Sequence, residues 1–242
     1  MIKYKDINNK FNTDGFCIIK NQIPKKKIKE MELSFFSIYS KFLKKKVNKK
    51  NYSKIISEYE SFKRYDELYI ALKKFSSSKK FLSFNNFFKT FLKKTFKKNF
   101  NLINTGMAIG LSNSQRTAYK WHQEKPYYPK KKTVHLQFPL IEKCKKQNGT
   151  MSVLVGSNKE GFIKSLNKIK KNKKSITSLV PKDIKKLKAK YKEQYICMNN
   201  RDFVLFHENI IHKTNQNISS KIRLACIYRY EGSYEYSSQK SK

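Results

Sequence analysis

The sequence is poor in the residues that characterise several large classes of protein. Among its 242 residues there are only 7 glycines and 5 prolines, which excludes collagen-like, linker-rich and glycine-rich low-complexity chains. Its 4 cysteines are far apart and form no CxxC pair, so we expect reduced, mostly buried thiols. No apolar run approaches the roughly 20 residues that a membrane span needs, and the N-terminal residues lack the apolar segment of a signal peptide. We therefore expect a soluble, cytoplasmic protein without a membrane partner.

Acidic residues and arginine are also scarce. There are 17 aspartates and glutamates against 55 lysines and arginines, a formal net charge of +38. The arginines are Arg64, Arg116, Arg201, Arg223 and Arg229. Proteins that recognise nucleic acids usually rely on arginine for bidentate contacts to bases and phosphates, so we interpret the charge mainly as a solvated lysine surface and do not expect a nucleic-acid partner. A non-catalytic basic module that binds nucleic acid or another anion stays open as an alternative function.

Apolar residues are abundant, and in the first half of the chain they follow a helical pattern. Hydrophobic residues make up 38% of the chain and aromatic residues 14%, which is enough for a core. A turn at Asp14-Gly15 is expected to lead into a short strand. Over residues 22–100, apolar residues recur at helical spacing between lysines, which predicts three or four amphipathic helices with a break at residues 76–78.

The second half of the chain, over residues 101–232, has the shorter period of β-strands. Strands are predicted at 102–111, 133–141, 150–156, 195–198, 202–206 and 222–230. Asn148-Gly149 predicts a hairpin, and a lysine-rich insertion at residues 158–194 is expected to contain a helix near 184–191. We expect one domain over residues 1–242, in which an antiparallel sandwich or barrel is backed by helices.

Histidine is rare, with 4 residues in the chain, and one of them lies in the segment His122-Gln123-Glu124. If this segment is extended, His122 and Glu124 project to the same face, because alternate residues of a strand share a face. A second histidine from a distant strand would complete the 2-His-1-carboxylate site of non-haem Fe(II) oxygenases. His212 is the preferred candidate, because Arg223 follows it by eleven residues and offers a permanent planar cation for the far carboxylate of a metal-chelating keto acid.

His207 stays open as an alternative to His212, although Arg223 would then follow by sixteen residues. His135 lies on a predicted strand, where it shares a face with Gln137. It is expected either to line a pocket or to be a buried histidine with a purely structural role.

These segments resemble the phytanoyl-CoA dioxygenase family of Fe(II)- and 2-oxoglutarate-dependent oxygenases. The resemblance extends weakly from Asp14-Gly15-Phe16 to Tyr228 and is concentrated in residues 119–158 and 196–228. The family's His-Gln-Asp motif is similar to His122-Gln123-Glu124. Its other motifs are similar to Asn148-Gly149, Gly156-Ser157-Asn158, Arg201-Asp202 before an apolar strand, and the set His212, Thr214, Asn217, Ser219 and Arg223.

The resemblance implies an α+β protein built on a double-stranded β-helix, a cupin-like jelly roll, with the N-terminal helices packed on one sheet. It implies Fe(II) bound by His122, Glu124 and His212, with 2-oxoglutarate as cosubstrate and O2 as oxidant. The residues expected to bind the cosubstrate are Arg223, which would hold the distal carboxylate, together with Thr214, Gln123 and Gln137.

The resemblance also implies a charge balance and a carboxylate type for the site. Fe²⁺ and Arg223 would carry three positive charges, and Glu124 with the 2-oxoglutarate dianion three negative ones, so the expected site is neutral, which burial tolerates best. The metal-binding carboxylate is a glutamate where aspartate is commoner in the family, so it is longer by one methylene. Because it is a carboxylate, the halide site of related halogenases is not expected.

The expected activity is that of an enzyme that hydroxylates a small molecule and releases succinate and CO2. Trp121, Tyr127 and His135 are candidate substrate contacts, although the aromatic residues could instead pack in the core. The lysine triplet 130–132 favours an anionic substrate, for example a phosphate-bearing one. A cupin-like metal isomerase without a keto acid is a further alternative, and the sequence determines neither the substrate nor the oligomeric state.

Overall fold

The computed structural model describes residues 3–61, 65–166 and 179–234. The helices are α1 (Tyr4–Asp14), α2 (Lys25–Leu43), α3 (Tyr52–Ser61), α4 (Tyr65–Ser76), α5 (Lys79–Leu82), α6 (Asn85–Phe96) and α7 (Ile184–Lys190). The strands are β1 (Phe16–Ile19), β2 (Phe100–Gly110), β3 (Thr133–Pro139), β4 (Met151–Leu154), β5 (Glu193–Tyr195), β6 (Phe203–His207), β7 (His212–Thr214) and β8 (Arg223–Gly232). Within the described ranges, no helix is long and apolar enough to cross a membrane.

The strands form two antiparallel sheets that face each other. The larger sheet has the order β1-β6-β3-β8-β2 and the smaller one the order β5-β4-β7. Phe16 and Phe206 of the larger sheet share a buried cluster with Met151 and Val153 of the smaller sheet, so apolar side chains fill the space between them. The jelly-roll α+β fold that the resemblance implied is confirmed.

The outer face of the larger sheet packs against the N-terminal helices. Alternate residues of β3 and β8, such as Phe138 and Tyr228, point to this side and are fully buried. The ring of Phe88 on α6 lies 5.0 Å from that of Tyr228, and the ring of Phe84, just before α6, lies 5.4 Å from that of Phe138. Each buried aromatic side chain of this kind stabilises the fold by roughly 1.5–3 kcal/mol, so the helical layer and the sheet depend on one another.

The inner face of the larger sheet is less crowded and provides the space for a site. On β8 this face carries Arg223, Ala225, Ile227 and Arg229, and their partners on β2 are Gly110, Ala108, Gly106 and Asn104. The two arginines therefore stand on the same face, separated by small side chains and one isoleucine. On β3 the same face carries His135, opposite Arg229, and Gln137, opposite Ile227.

The helical part differs in detail from the sequence prediction. The described part of residues 22–100 contains five helices rather than three or four, and the predicted break at residues 76–78 separates α4 from α5. The structure adds α1, which ends at Gly15, where a φ of +81° suits glycine. Its apolar signal was weak, because only Ile7 and Phe11 are buried in an asparagine- and lysine-rich segment.

The hairpin predicted at Asn148-Gly149 was wrong. The preceding strand β3 pairs with β6 and β8, whereas the following strand β4 pairs with β5 and β7. The turn therefore connects the two sheets. The helix expected in the lysine-rich insertion is α7. Residues 167–178 of this insertion lie outside the described ranges. The single domain over residues 1–242 stays a prediction.

Candidate active site

Two histidines lie side by side at the edge of the smaller sheet. His212 is the first residue of β7, and its backbone pairs with that of His122: the His122 amide donates to the His212 carbonyl (2.8 Å), and the His212 amide donates to the His122 carbonyl (3.0 Å). A directly opposed pair of this kind projects both side chains to one face, and the two imidazole centroids are 4.2 Å apart. His122 lies in no regular strand, yet this bridge provides the extended geometry that the sequence predicted.

Glu124 completes a cluster of three buried groups. Its Oε1 lies 3.9 Å from His122 Nε2 and 3.7 Å from His212 Nε2, and one ligand atom from each residue lies within 4.8 Å of the others. The backbone amide of Glu124 donates to the carbonyl of Glu208 (3.0 Å), which fixes the segment beside the chain that leads to β7. The structure thus brings together the three residues predicted as metal ligands.

The hydrogen bonds of the two histidines leave the correct nitrogens free for a metal. Nδ1 of His122 lies 2.7 Å from the Lys120 carbonyl, and Nδ1 of His212 lies 3.1 Å from the Ile210 carbonyl. A carbonyl oxygen can only accept, so each Nδ1 carries a proton, and Nε2, which faces Glu124, is the nitrogen whose lone pair a neutral ring offers to a metal. Burial lowers the pKa of His122 to about 4, so its ring is neutral at physiological pH.

The carboxylate of Glu124 is ionised in this environment. Burial by itself would raise the pKa of Glu124, but Arg229, His135 and His212 outweigh it and hold that pKa well below the usual range. Two neutral imidazole nitrogens and one carboxylate oxygen are the donor set of non-haem Fe(II) sites with open coordination positions. The residues present therefore fit the metal that the resemblance implied.

Arg229 is the residue of this site that the sequence analysis missed. Its Nε lies 3.4 Å from Glu124 Oε2, its Nη1 donates to Asn104 Oδ1 (3.3 Å), and its side chain is 18% exposed. Strand alternation could have identified it, because it follows Arg223 by six residues and so shares its face. With Arg229 included, a site holding Fe²⁺ and the 2-oxoglutarate dianion carries one net positive charge, and the expected neutrality was wrong.

Arg223 is a buried cation without a counter-ion. Its side chain is only 1% exposed, its Nε donates to the Asn148 carbonyl (3.2 Å), and no carboxylate of the described ranges lies within 4.0 Å of its guanidinium. A Cβ added to Gly110 would lie 3.3 Å from both Nε and Nη2, so the glycine gives the guanidinium its room. An unpaired buried charge is strongly unfavourable, which favours an anionic ligand such as the distal carboxylate of 2-oxoglutarate.

Thr214 and Gln137 also have unused polar groups. Thr214 lies on β7 two residues after His212, and Gln137 is buried on the inner face of β3. In the part of the chain that the structure describes, neither the Thr214 hydroxyl nor the Gln137 amide has a hydrogen-bond partner. Both groups are therefore available to a polar ligand, and their role toward the cosubstrate stays a prediction.

Two predicted site residues have a different place. Gln123 points away from the triad, and its amide holds backbone groups: Nε2 donates to the carbonyls of Gly161 (2.8 Å) and Asn209 (2.7 Å), while Oε1 accepts from the Ile163 amide (2.9 Å). With both amide hydrogens in use, it positions the surrounding loops and does not face the cosubstrate. Trp121 points the same way, since successive residues of an extended segment alternate, and it packs with Leu154, Leu187 and Ile211.

His135 and His207 also differ from the sequence expectation. His135 is fully buried, and its Nδ1 lies 3.7 Å from Glu124 Oε2, so it lies behind the carboxylate and does not line a pocket open to a substrate. His207 lies on the opposite side of the larger sheet, where its ring is 5.3 Å from that of Phe11 and 5.2 Å from that of Tyr234. His207 is therefore excluded as the distal metal ligand.

Three tyrosines surround the triad. The rings of Tyr119 and Tyr127 lie 6.5 Å and 6.3 Å from the ring of His122, and the ring of Tyr128 lies 6.1 Å from that of His135. Tyr119 is 37% exposed, and it provides an aromatic surface at the opening of the site. Aromatic walls of this kind are common in small-molecule sites.

A sequence model of one protein family, described as phytanoyl-CoA dioxygenase (PhyH), matches residues 11–225. The chain belongs to the phytanoyl-CoA dioxygenase family. Members of this family are Fe(II)- and 2-oxoglutarate-dependent oxygenases, so the protein is an oxygenase-type enzyme of this class. No curated protein sequence gives a significant match to the chain.

Solved structures support the same fold for this phytanoyl-CoA dioxygenase family member. The non-haem α-ketoglutarate-dependent carbocyclase SnoK from nogalamycin biosynthesis matches with a TM-score of 0.61 and 13% identity, over 98% of this chain and 88% of that one. EctD from S. alaskensis, crystallised with 2-oxoglutarate and 5-hydroxyectoine, matches with a TM-score of 0.60 and 11% identity, over 100% and 82% of the two chains. AviO1 from Streptomyces viridochromogenes Tue57 matches with a TM-score of 0.59 and 10% identity, over 96% of each chain.

Proposed function

We propose that the protein couples the oxidative decarboxylation of 2-oxoglutarate to the hydroxylation of a small molecule. In the balanced reaction, a C–H bond of the substrate, 2-oxoglutarate and O2 yield the alcohol, succinate and CO2. The observation that carries the proposal is the convergence of two imidazole Nε2 atoms and one ionised carboxylate, in a fold that also buries an arginine with no counter-ion among the described residues. A binding module on the same fold would need neither feature.

The chain's own residues have separate tasks in this reaction. His122, Glu124 and His212 would hold Fe(II), which supplies the redox chemistry with O2 when it is bound. Arg223 would bind the distal carboxylate of 2-oxoglutarate with the fork of a planar guanidinium, and Thr214 and Gln137 are the polar groups available to assist it. Gln123 is no longer part of this set, because its amide is engaged by backbone groups.

The charge of the site supports an anionic substrate. Fe²⁺, Arg223 and Arg229 carry one more positive charge than Glu124 and the 2-oxoglutarate dianion together, and a negatively charged substrate group would balance it. Lys131 of the predicted lysine triplet pairs with Glu231 at the surface, whereas Arg229 lies beside Glu124 within the site, so Arg229 is the more suitable source of this attraction. A small molecule with a phosphate or carboxylate group, packed against Tyr119 and Tyr127, is the substrate class that we propose.

The decisive experiment is 2-oxoglutarate turnover by the Fe(II)-loaded protein. The native substrate is unidentified, so succinate formation and O2 consumption should be followed without added substrate and with panels of anionic and neutral small molecules. We expect slow succinate formation by the wild type, acceleration by anionic compounds, and a loss of at least about 100-fold in His122→Ala and Arg223→Gln. The control is Arg201→Gln, which changes an arginine outside the site whose side chain donates to the backbone carbonyls of Asn21 and Ile23.

The products distinguish the reaction types. Hydroxylation adds one oxygen atom to the accelerating compound, ring closure removes two hydrogen atoms, and epimerisation leaves the mass unchanged. The last two activities appear in the names of SnoK and SnoN, which share the fold. The proposal would be contradicted if the wild type forms no succinate with any compound, or if His122→Ala forms succinate at the wild-type rate. An isomerase would instead convert its substrate without 2-oxoglutarate.

A further inference from the structure

The two carboxylate oxygens of Glu124 face different surroundings. Oε1 is directed toward the Nε2 atoms of His122 and His212, at 3.9 Å and 3.7 Å. Oε2 lies 3.4 Å from Arg229 Nε and 3.7 Å from His135 Nδ1. The side chain thus spans the space between the smaller sheet, which carries His212, and the inner face of the larger sheet.

Arg229 and His135 are direct neighbours on that inner face. They are cross-strand partners on β8 and β3, so the pairing of the two strands fixes their separation. Arg229 is held by Asn104 Oδ1 (3.3 Å), and the ring of His135 is held by Thr133 Oγ1, 2.9 Å from Nε2. Because the Thr133 hydroxyl donates to Glu208 Oε2 (3.0 Å), it accepts from His135 Nε2, so in the neutral ring the buried Nδ1 has no proton to donate to Oε2 of Glu124.

We propose that Arg229 is a positioning residue that holds Oε2 of Glu124, so that this side chain offers only Oε1 to the metal. The proposal rests on the proposed function, because it concerns how the metal site admits the cosubstrate. It also explains why the carboxylate is a glutamate: the extra methylene lets Oε2 reach Arg229 on the opposite sheet while Oε1 remains beside the two histidines. An aspartate in the same backbone position would be too short to contact both.

The consequence is the number of coordination positions left for other ligands. A carboxylate can bind a metal through one oxygen or through both. A six-coordinate metal with three protein donors and a keto acid that supplies two has one position left, and a second oxygen from Glu124 would compete for it or for the keto acid's positions. Holding Oε2 away from the metal therefore favours binding of 2-oxoglutarate.

A double-mutant cycle with Co(II)-loaded protein tests the proposal. The variants are Arg229→Gln, Glu124→Asp and the combination, and the affinities for Co(II) and for 2-oxoglutarate are measured anaerobically by calorimetry. In Arg229→Gln we expect Co(II) to bind at least as tightly as in the wild type, because a positive charge is removed and Oε2 is released. 2-Oxoglutarate should bind about tenfold more weakly, within the range found for groups that orient metal ligands.

The Glu124→Asp background identifies the cause. There neither carboxylate oxygen of the aspartate reaches Arg229, so adding Arg229→Gln should change the 2-oxoglutarate affinity by less than about twofold. Loss of a cation that attracts the cosubstrate from a distance would weaken binding equally in both backgrounds. A purely structural role would weaken Co(II) and 2-oxoglutarate binding together, and either of these results would overturn the proposal.

Further variants control for folding. Asn104→Ala removes the hydrogen bond to Nη1 and keeps the charge, and we expect about threefold weaker 2-oxoglutarate binding that disappears in the Glu124→Asp background. Arg201→Gln should leave both affinities unchanged. If the wild type binds Co(II) and 2-oxoglutarate and both Arg229→Gln and Asn104→Ala bind them with the same affinities, only this inference is overturned. If the wild type binds neither Co(II) nor 2-oxoglutarate, the proposed function is overturned as well.

Discussion

The guanidinium of Arg223 has little room beside it, because it lies against the backbone of Gly110. An alanine at position 110 would place its Cβ 3.3 Å from Nε and Nη2, and the guanidinium would have to move by a few tenths of an ångström. Small misplacements of a binding group reduce affinity strongly, so we expect Gly110→Ala to weaken 2-oxoglutarate binding by about tenfold without a change in metal affinity. Titration of the metal-loaded variant with 2-oxoglutarate measures this.

The same strand offers a matched control. Gly106 occupies the equivalent face of β2, and an added Cβ there would lie 3.8 Å from Arg229 Nη1, which is an ordinary contact. Gly106→Ala should therefore change the cosubstrate affinity by less than about twofold. If the two alanine variants behave alike, the assignment of Arg223 as the carboxylate-binding residue is wrong.

Single residues were predictable from the sequence where local spacing decides their geometry. His122 and Glu124 share a face because they are two residues apart in an extended segment, and His212 with Arg223 follows the family's spacing. The same rule shows why the assignment of Gln123 and Trp121 to the site was wrong: in an extended segment, the immediate neighbours of a residue on the metal face point away from that face. The contact of Arg229 with Glu124 joins residues that are 105 positions apart, and no local pattern predicts such a pair.

At the scale of secondary-structure elements, the turn at Asn148-Gly149 connects the sheets and supports the arginine. Gly149 has a φ of +74°, and an added Cβ would lie 2.6 Å from the Asn215 carbonyl oxygen, in the loop between β7 and β8. The preceding carbonyl, of Asn148, accepts the hydrogen bond from Arg223 Nε. The turn thus contacts both the β7–β8 loop and the side chain of Arg223.

Replacement of this glycine should therefore be more harmful than replacement of a glycine with similar backbone strain. Gly156 has a φ of +80° and a ψ of 0°, and the atom nearest to an added Cβ is the Thr13 carbonyl oxygen at 3.5 Å, an ordinary contact, so Gly156→Ala introduces only the strain of a left-handed residue, about 1–2 kcal/mol. Gly149→Ala adds a clash with backbone atoms, and we expect its free energy of unfolding to fall by at least about 2 kcal/mol more. Chemical denaturation of the two variants measures the difference, and equal losses would contradict this account of the turn.

Existence of the elements was more predictable than their pairing. The helical and strand periods identified the helical region over residues 22–100 and most strands, although not the number of helices, because amphipathic spacing is a local property. Asn148-Gly149 correctly indicated a turn, but the hairpin was wrong because β4 pairs with β5 and β7, which both come much later in the sequence than β4. Such pairings depend on which faces the whole core buries.

At the scale of the whole molecule, buried neutral histidines make stability depend on pH. Burial, with smaller contributions from Lys125 and Lys132, lowers the pKa of His207 to about 3. In the unfolded chain this histidine has a pKa of about 6.5, so between pH 6.5 and 3 the unfolded state binds a proton that the folded state does not. Stability is therefore fully present above pH 6.5 and declines as the pH falls, by up to about 1.4 kcal/mol per pH unit for this residue.

His207→Phe should remove this part of the pH dependence. The ring would remain between Phe11 and Tyr234, although the variant loses the acceptor for the Asn209 amide and is expected to be less stable at pH 7. The measurement is the free energy of unfolding of the metal-free protein at several values between pH 7 and 5, where the gap between variant and wild type should narrow as the pH falls. Parallel curves would contradict the buried neutral state of His207.

The net charge of +38 is a property of the whole chain that does not identify its function. Exposed lysines form pairs such as Lys80–Glu30 and Lys190–Glu160, and pairs of this kind contribute little to stability. The two cations that matter for the proposed chemistry are Arg223 and Arg229 on one face of β8. That nucleic acid is not a partner stays a prediction.

The most direct test of the metal and cosubstrate assignment is anaerobic titration of the protein with Fe(II) and 2-oxoglutarate, followed by visible absorption. A keto acid that chelates Fe(II) gives a weak charge-transfer band, which requires both ligands on one metal. We predict the band in the wild type, its loss in His122→Ala and its appearance only at higher 2-oxoglutarate concentration in Arg223→Gln. No band in the wild type, or an unchanged band in His122→Ala, would contradict the assignment.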